Sequence, residues 1–241
     1  LTLRAGLYAA LAALPLLGSC DAPWQGDSDR TETARDFPPA DRPVAPTVST
    51  KWSTEEARDR LNEAEDVMDS ADVRPGMTVA DIGAGDGYYT VRLATRVGAG
   101  GRVLAQDIMP EVIERLADRV TRERLDNVSV KLGAVDDPRL PANSFDRVFM
   151  VHMYHEIGEP YAFLWRLRPA LRKGGQVLVV DGDRPIADHG TPFRLLVCEF
   201  EAVGYKLVSY DDKQHAGGYL ARFEPEGKAP KPEDIKVCEN P

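Results

Sequence analysis

Short apolar runs alternate with longer amphipathic stretches from residue 53 to residue 225. Runs of seven or eight apolar-rich residues at 77–83, 102–108, 127–133, 145–151, 176–182, 206–212 and 218–225 have the length and β-branched content of strands. Between them, 88–97, 110–125, 160–175 and 191–205 carry apolar residues at helical spacing. Glycines at 98, 100 and 101 close the first of these helices, and Pro110 opens the second. Residues 53–73 read as one further helix, started by a capping box of Ser53 and Glu56. Strands that alternate with helices predict a doubly wound α/β domain: a mostly parallel seven-stranded sheet with helices on both faces.

The flanks follow a different pattern. An apolar run at 7–17 follows Arg4 and precedes small residues and Cys20, the layout of a secretory signal over residues 1–19. That run is too short for a lasting membrane span. Residues 20–50 and 225–241 are rich in Pro, Asp, Ser and Lys and poor in large apolar residues, which predicts a disordered tether and a flexible tail around a domain at 51–224. The chain has 241 residues, enough for one sizeable core, and a net charge of −9, which argues against a nucleic-acid partner. Of three cysteines, Cys198 and Cys238 stand outside the signal. In an oxidising compartment they can pair, but nothing in the pattern decides it. No cysteine spacing suggests zinc, and no metal is expected.

The chemistry concentrates at strand ends. "VADIGAGDGYYT" (79–90) places Gly83, Gly85 and Gly87 in the turn from the first strand to its helix, between Asp81 and Asp86. Glycines there allow a tight turn and close approach of backbone to a ligand. The spacing is not Gly-x-Gly-x-x-Gly, and two acids would repel a pyrophosphate, so the turn suits a cationic or zwitterionic ligand. Asp107 ends the second strand, where it can accept hydrogen bonds from ribose hydroxyls. "HMYHEI" (152–157) follows the fourth strand, and a neutral His155 there can take a proton from an oxygen or nitrogen nucleophile. Tyr154 is expected to orient it and Glu156 to set its tautomer; the alternative makes His155 and Glu156 cap or wall residues. His152, Asp181 and Asp183 could form a metal site with His155 and Glu156, although such sets in this fold are mostly adjacent loops; His189 and His215 lie in loops and could line an acceptor pocket.

These motifs, with "LAQDI", "GAVDDPRLPANSFDRVFMV" and "LRKGGQVLVVDG" in order, resemble the class I S-adenosylmethionine-dependent methyltransferases over residues 73–224. The chain looks most like small members with Tyr-His after the fourth strand. The resemblance implies a Rossmann-like fold and S-adenosylmethionine as cofactor. It places Gly83, Ala84 and Gly85 under the methionine portion, Asp81 toward its amino group, Asp107 at the ribose, Ile108 against adenine and Asp136 or Asp137 at the exocyclic amine. Many relatives have Gly-Asp where this chain has Gly133-Ala134. The implied activity is methyl transfer to a small-molecule O or N nucleophile; the alternative is an exported binding module that keeps the fold without catalysis. "LGSC" (17–20) resembles a lipoprotein lipobox, which implies a lipid on Cys20 and a membrane-tethered, periplasmic address, with Asp21 pointing to the inner membrane. The alternative address is cytoplasmic.

Overall fold

The computed structural model describes residues 30–47 and 53–240. The signal segment, Cys20 and the start of the tether lie outside the described residues. All seven predicted strands form: β1 (Thr78–Ile82), β2 (Arg102–Asp107), β3 (Val128–Leu132), β4 (Phe145–Val151), β5 (Leu171–Asp181), β6 (Tyr205–Lys213) and β7 (Gly218–Pro225). They make one sheet in the order β3-β2-β1-β4-β5-β7-β6, with only β7 antiparallel to its neighbours. From β1 the chain winds outward to β2 and β3, then returns to place β4 on the other side. The order therefore reverses between β1 and β4, and the loops at the carboxyl ends of these two strands flank the crevice where such sheets bind ligands.

Alternation along the central strands fills two cores. Val148 and Met150 of β4 and Val177 and Val179 of β5 face Tyr161, Leu164 and Phe200. Phe149, Leu178 and Val180 face Met68, Leu93 and Val97 on the other side. Side chains pointing to opposite faces with period two explain why these strands are apolar throughout.

The helices are α1 (Glu55–Arg60), α2 (Glu63–Ser70), α3 (Tyr88–Val97), α4 (Pro110–Arg122), α5 (Pro160–Leu167) and α6 (Phe193–Ala202). Two predicted helices are corrected. The single helix expected over 53–73 breaks at Asn62, whose φ of 54° lies in the left-handed region that Asn tolerates. The break turns Glu63 inward to Arg58 at 2.6 Å and to the Tyr89 hydroxyl at 3.1 Å. Its first turn is capped by Thr54 rather than Ser53, the Thr54 hydroxyl accepting from Ala57 N. The helix expected over 160–175 stops at Leu167, passes through a 3-10 turn containing Pro169, and gives Leu171–Gly175 to β5, because proline has no N–H to continue the helical ladder.

The flanks are corrected as well. Glu32–Asp36 is a 3-10 turn, and Ala34, Phe37 and Ala45 are buried. Phe37 packs edge-on against Trp165, with ring centroids 5.5 Å apart. In the tail, Ile235 and Cys238 are buried, Asp41 bridges to Glu239, and Cys198 and Cys238 form a disulfide. Composition averages over these segments are polar, yet a few anchors suffice: one aromatic pair, one crosslink and one buried ion pair, Arg42 Nε to Glu199 Oε1 at 2.7 Å. From Thr31 on, the described residues form one compact unit.

Candidate active site

The β1 turn is held by backbone. Ala84 N donates to Gln106 O at 3.0 Å, Gly87 N to Ala84 O at 2.9 Å, and Gly85 N to Asp107 Oδ2 at 3.1 Å. Gly83 (φ 65°) and Gly87 (φ 89°) both lie in the left-handed region. A Cβ on Gly83 would sit 2.9 Å from Met153 Cγ, and one on Gly87 2.6 Å from Leu116 Cδ1, so a side chain is excluded by both conformation and space. A Cβ on Gly133 would fall 1.6 Å from Gln106 Nε2, so the Gln106 side chain would have to move to admit one.

Two carboxylates bound this turn. Asp107 is buried; Oδ1 accepts from Met109 N and Oδ2 from Gly85 N, each at 3.1 Å. Each oxygen keeps a second lone pair, and the paired backbone donors fix the carboxylate in place. Asp81 is buried, with Oδ2 accepting from the Thr90 hydroxyl at 2.6 Å. Burial pushes its pKa up to about 6, because the lost hydration outweighs the Thr90 hydrogen bond and the charge of Arg58. Beside this acid pair Ile108 and Val135 are exposed, 45% and 47%, leaving apolar surface at the carboxyl ends of β2 and β3. The glycine floor, the anchored Asp107, the charge-hungry Asp81 and the exposed Ile108 fit a zwitterionic nucleoside with a sulfonium centre. Asp136 is a correction. Its Oδ2 is taken by the hydroxyls of Thr31 (3.0 Å) and Thr33 (2.6 Å) and by Arg166 (2.7 Å), so it clamps the N-terminal flank instead of waiting for an amine.

Across the crevice, the loop after β4 carries His155 in the 3-10 turn Tyr154–Glu156. Its Nδ1 lies 3.0 and 3.1 Å from the two oxygens of Asp181, the last residue of β5. Asp181 is fully buried and also accepts from Gly182 N (2.9 Å) and the Thr191 hydroxyl (2.7 Å). A carboxylate so placed calls for a proton on Nδ1 and leaves Nε2 of a neutral ring as an acceptor. Asp181, not Glu156, sets the tautomer. Glu156 accepts from the Thr47 hydroxyl at 2.8 Å, and burial raises its pKa. Tyr154 is no orienter either: it is buried in the core, and its hydroxyl donates to Glu199 Oε2 at 2.7 Å.

His189 caps the 3-10 turn Ile186–Asp188 and sets its ring 5.6 Å from that of His155. His155, Glu156 and His189 bring one ligand atom each within 4.8 Å of the others; His152 and Asp183 are not part of this cluster. The Asp-Gly that ends β5 was the one available signal for Asp181, and it was read only as a metal candidate. Met153, packed against Gly83, brings the His155 loop onto the β1 turn.

Residues 79–175 match a family model described as a methyltransferase domain. Nocamycin O-methyltransferase of Saccharothrix syringae is 40% identical over 82 residues, 34% of this chain and 29% of that one. Protein-L-isoaspartate O-methyltransferase of Methanothrix thermoacetophila is 32% identical over 116 residues, covering 48% and 52%. The chain thus spans between about a third and a half of the length of these relatives. A solved structure of a SAM-dependent methyltransferase from Aquifex aeolicus superposes with a TM-score of 0.61 at 23% identity, over 71% of this chain and 97% of that one, and shows the shared fold. Residues 79–175 thus match a methyltransferase domain, and the sheet that contains them has the fold of that solved structure.

Proposed function

We propose that the chain transfers a methyl group from S-adenosylmethionine to an oxygen or nitrogen of a small-molecule acceptor. The observation that carries this is the juxtaposition across the switch point: a glycine turn with an anchored Asp107 on one side and an Asp181-oriented His155 on the other. Bound S-adenosylmethionine supplies an electrophilic methyl carbon on a sulfonium. Gly83, Ala84 and Gly85 let the backbone approach the ligand, Asp107 accepts from ribose hydroxyls, Ile108 covers the base, and Asp81 meets positive charge. Asp181 holds His155 so that, in the ion-free site, Nε2 accepts the nucleophile's proton. Alignment of acceptor and donor between two fixed loops supplies most of the acceleration for an in-line displacement.

Calorimetric titration of the purified chain with S-adenosylmethionine tests the reading. Saturable heat with one site per chain is expected, and none at millimolar ligand overturns it. No observation favours the non-catalytic module.

For its address, the same reading places the chain on the periplasmic face of the cell envelope, tethered by a lipid on Cys20. The Cys198–Cys238 disulfide supports an oxidising compartment. No helix among the described residues is long and apolar enough to cross a membrane. Replacing Cys20 with Ser is expected to move the protein from the detergent phase to the aqueous phase; unchanged partitioning refutes lipidation.

A further inference from the structure

The acceptor side holds more ligating groups than proton transfer needs. His155, Glu156 and His189 converge to within 4.8 Å, drawn from the loops after β4 and β5. Each is held from behind. His155 Nδ1 is taken by Asp181, so the atom it offers is Nε2. Asp181 is itself fixed by Thr191 and Gly182 N, which stops the imidazole from turning. A carboxylate on the far nitrogen is the arrangement that sets tautomer and raises basicity in metal-ligating histidines. His189 is set by a left-handed backbone (φ 56°), and its carbonyl accepts from Arg184 Nε at 3.2 Å and Nη2 at 2.8 Å. Glu156 has one oxygen on Thr47, and its carboxyl is half-buried beside two imidazoles.

We infer that His155, Glu156 and His189 bind one divalent transition-metal ion, zinc by the chemistry of the set, with a fourth position open to the acceptor. Two imidazoles and one carboxylate are the ligands of zinc sites that keep such a position open. A calcium or magnesium site would be built from oxygen atoms. Zinc bonds of about 2.1 Å put ligand atoms about 3.4 Å apart on a tetrahedron. Side-chain rotations of Glu156 and His189, both only partly buried, close the remaining distance.

The site deepens the methyl-transfer reading and rests on it for its role. A hydroxyl of the acceptor takes the open position, and the ion lowers its pKa as it does that of bound water. The proton leaves to solvent, so acidification of a metal-held hydroxyl replaces direct transfer to Nε2, which is now a ligand. The oxygen lone pair then forms the bond to the methyl carbon while the carbon–sulfur pair returns to sulfur as a thioether. The substrate class this selects is an alcohol, phenol or hydroxy acid that can coordinate the ion through oxygen.

The test uses the full chain, without a polyhistidine tag and stripped by a chelator, titrated with zinc chloride by calorimetry and with cobalt(II) by visible absorption. One ion per chain and the intense cobalt bands of a four- or five-coordinate site are expected. His189→Ala and the near-isosteric Glu156→Gln are each expected to weaken zinc more than 100-fold. Asp181→Asn is expected to weaken it about 10–100-fold through His155. His215→Ala, on the loop that pairs with Asp66, is expected to leave it unchanged. Absence of stoichiometric binding, or binding indifferent to both Glu156→Gln and His189→Ala, overturns the site. Titrating the same samples with S-adenosylmethionine separates the two readings: zinc bound without the nucleoside refutes methyl transfer alone, and the nucleoside bound without zinc refutes the metal site alone.

Discussion

The two sides of the crevice, proposed above for cofactor and for acceptor, are built by different means. The cofactor side draws its frame from Asp81 through Met109, and backbone amides make its main contacts: Ala84 to Gln106, Gly85 and Met109 to Asp107. The acceptor side is assembled from distant pieces. Ala45 N donates to His155 O, Thr47 to Glu156, and Arg42 to both Glu199 and Ile157 O, while Asp181 and Thr191 come from β5 and beyond. The first side is a local turn, the second a clamp closed by both chain flanks. It follows that the acceptor side can be broken while the cofactor side stands, and the reverse.

The most damaging change to the clamp is Arg42→Ala. The guanidinium and Glu199 are buried at 2.7 Å, and Glu199 also receives the Tyr154 hydroxyl. Removing the cation leaves an unpaired buried carboxylate, at a cost of about 3–5 kcal/mol. Urea denaturation is expected to show that loss. Below the transition, S-adenosylmethionine affinity should hold while acceptor turnover falls. A loss below about 1 kcal/mol would mean that the flank does not close the clamp.

The disulfide is the second fastening. Cys198 on α6 and Cys238 in the tail are 40 residues apart in sequence, and crosslinking a loop of that length stabilises by about 2–4 kcal/mol. Cys238→Ser is expected to lower the denaturation midpoint accordingly and to free the tail for proteolysis. Equal midpoints for wild type and variant would show that the tail docks without its crosslink.

The border between the two sides can be read by pH. Burial raises Asp81 to about 6, so its stabilising contribution is present in full below its unfolded value and is lost as pH rises through 6. Burial lowers His152 to about 4, so its contribution is present above its unfolded value and is lost as pH falls through 4. Each shift of about two units corresponds to about 3 kcal/mol, with opposite sign over the same range. These two contributions should therefore nearly cancel between pH 4 and 6.5. Asp81→Asn is expected to unmask a rise with pH across that window, measured by thermal unfolding, and a flat profile in the variant would remove the compensation. In the wild type a cationic ligand at Asp81 should bind more tightly as pH rises through 6.

This contrast also explains what could be read along the chain. The seven strands and most of the helices between them were legible because period-two and helical apolar patterns report burial directly. The turn at Gly83 and Gly85 and the strand end at Asp107 were legible as local structure because they are close in sequence. Tyr154, Glu156 and Asp136 were misread because their partners, Glu199, Thr47 and the pair Thr31 and Thr33, lie about 45 to 109 residues away. Polar flanks hid Phe37, Arg42 and Cys238 for the same reason: a segment average registers composition, whereas docking depends on a few residues meeting distant partners. Asn62 escaped because one left-handed residue divides a helix without altering its periodicity.

The smallest expected effect isolates the cofactor side. Asp107→Ala deletes a carboxylate that two backbone amides hold in position and that offers its free lone pairs to hydroxyls. Hydrogen bonds to a charged acceptor contribute about 1.5–3 kcal/mol, so affinity for S-adenosylmethionine is expected to fall about 10- to 150-fold. The amides of Gly85 and Met109 face the crevice edge and recover water, so stability should change little beside the loss at Arg42→Ala. Zinc binding at His155, Glu156 and His189 should fall far less than nucleoside binding, because no hydrogen bond of Asp107 reaches that cluster and only its charge acts on Glu156. An Asp107→Ala protein that loses zinc along with the nucleoside would show one coupled site where the geometry draws two, and the local turn would then share in the long-range clamp.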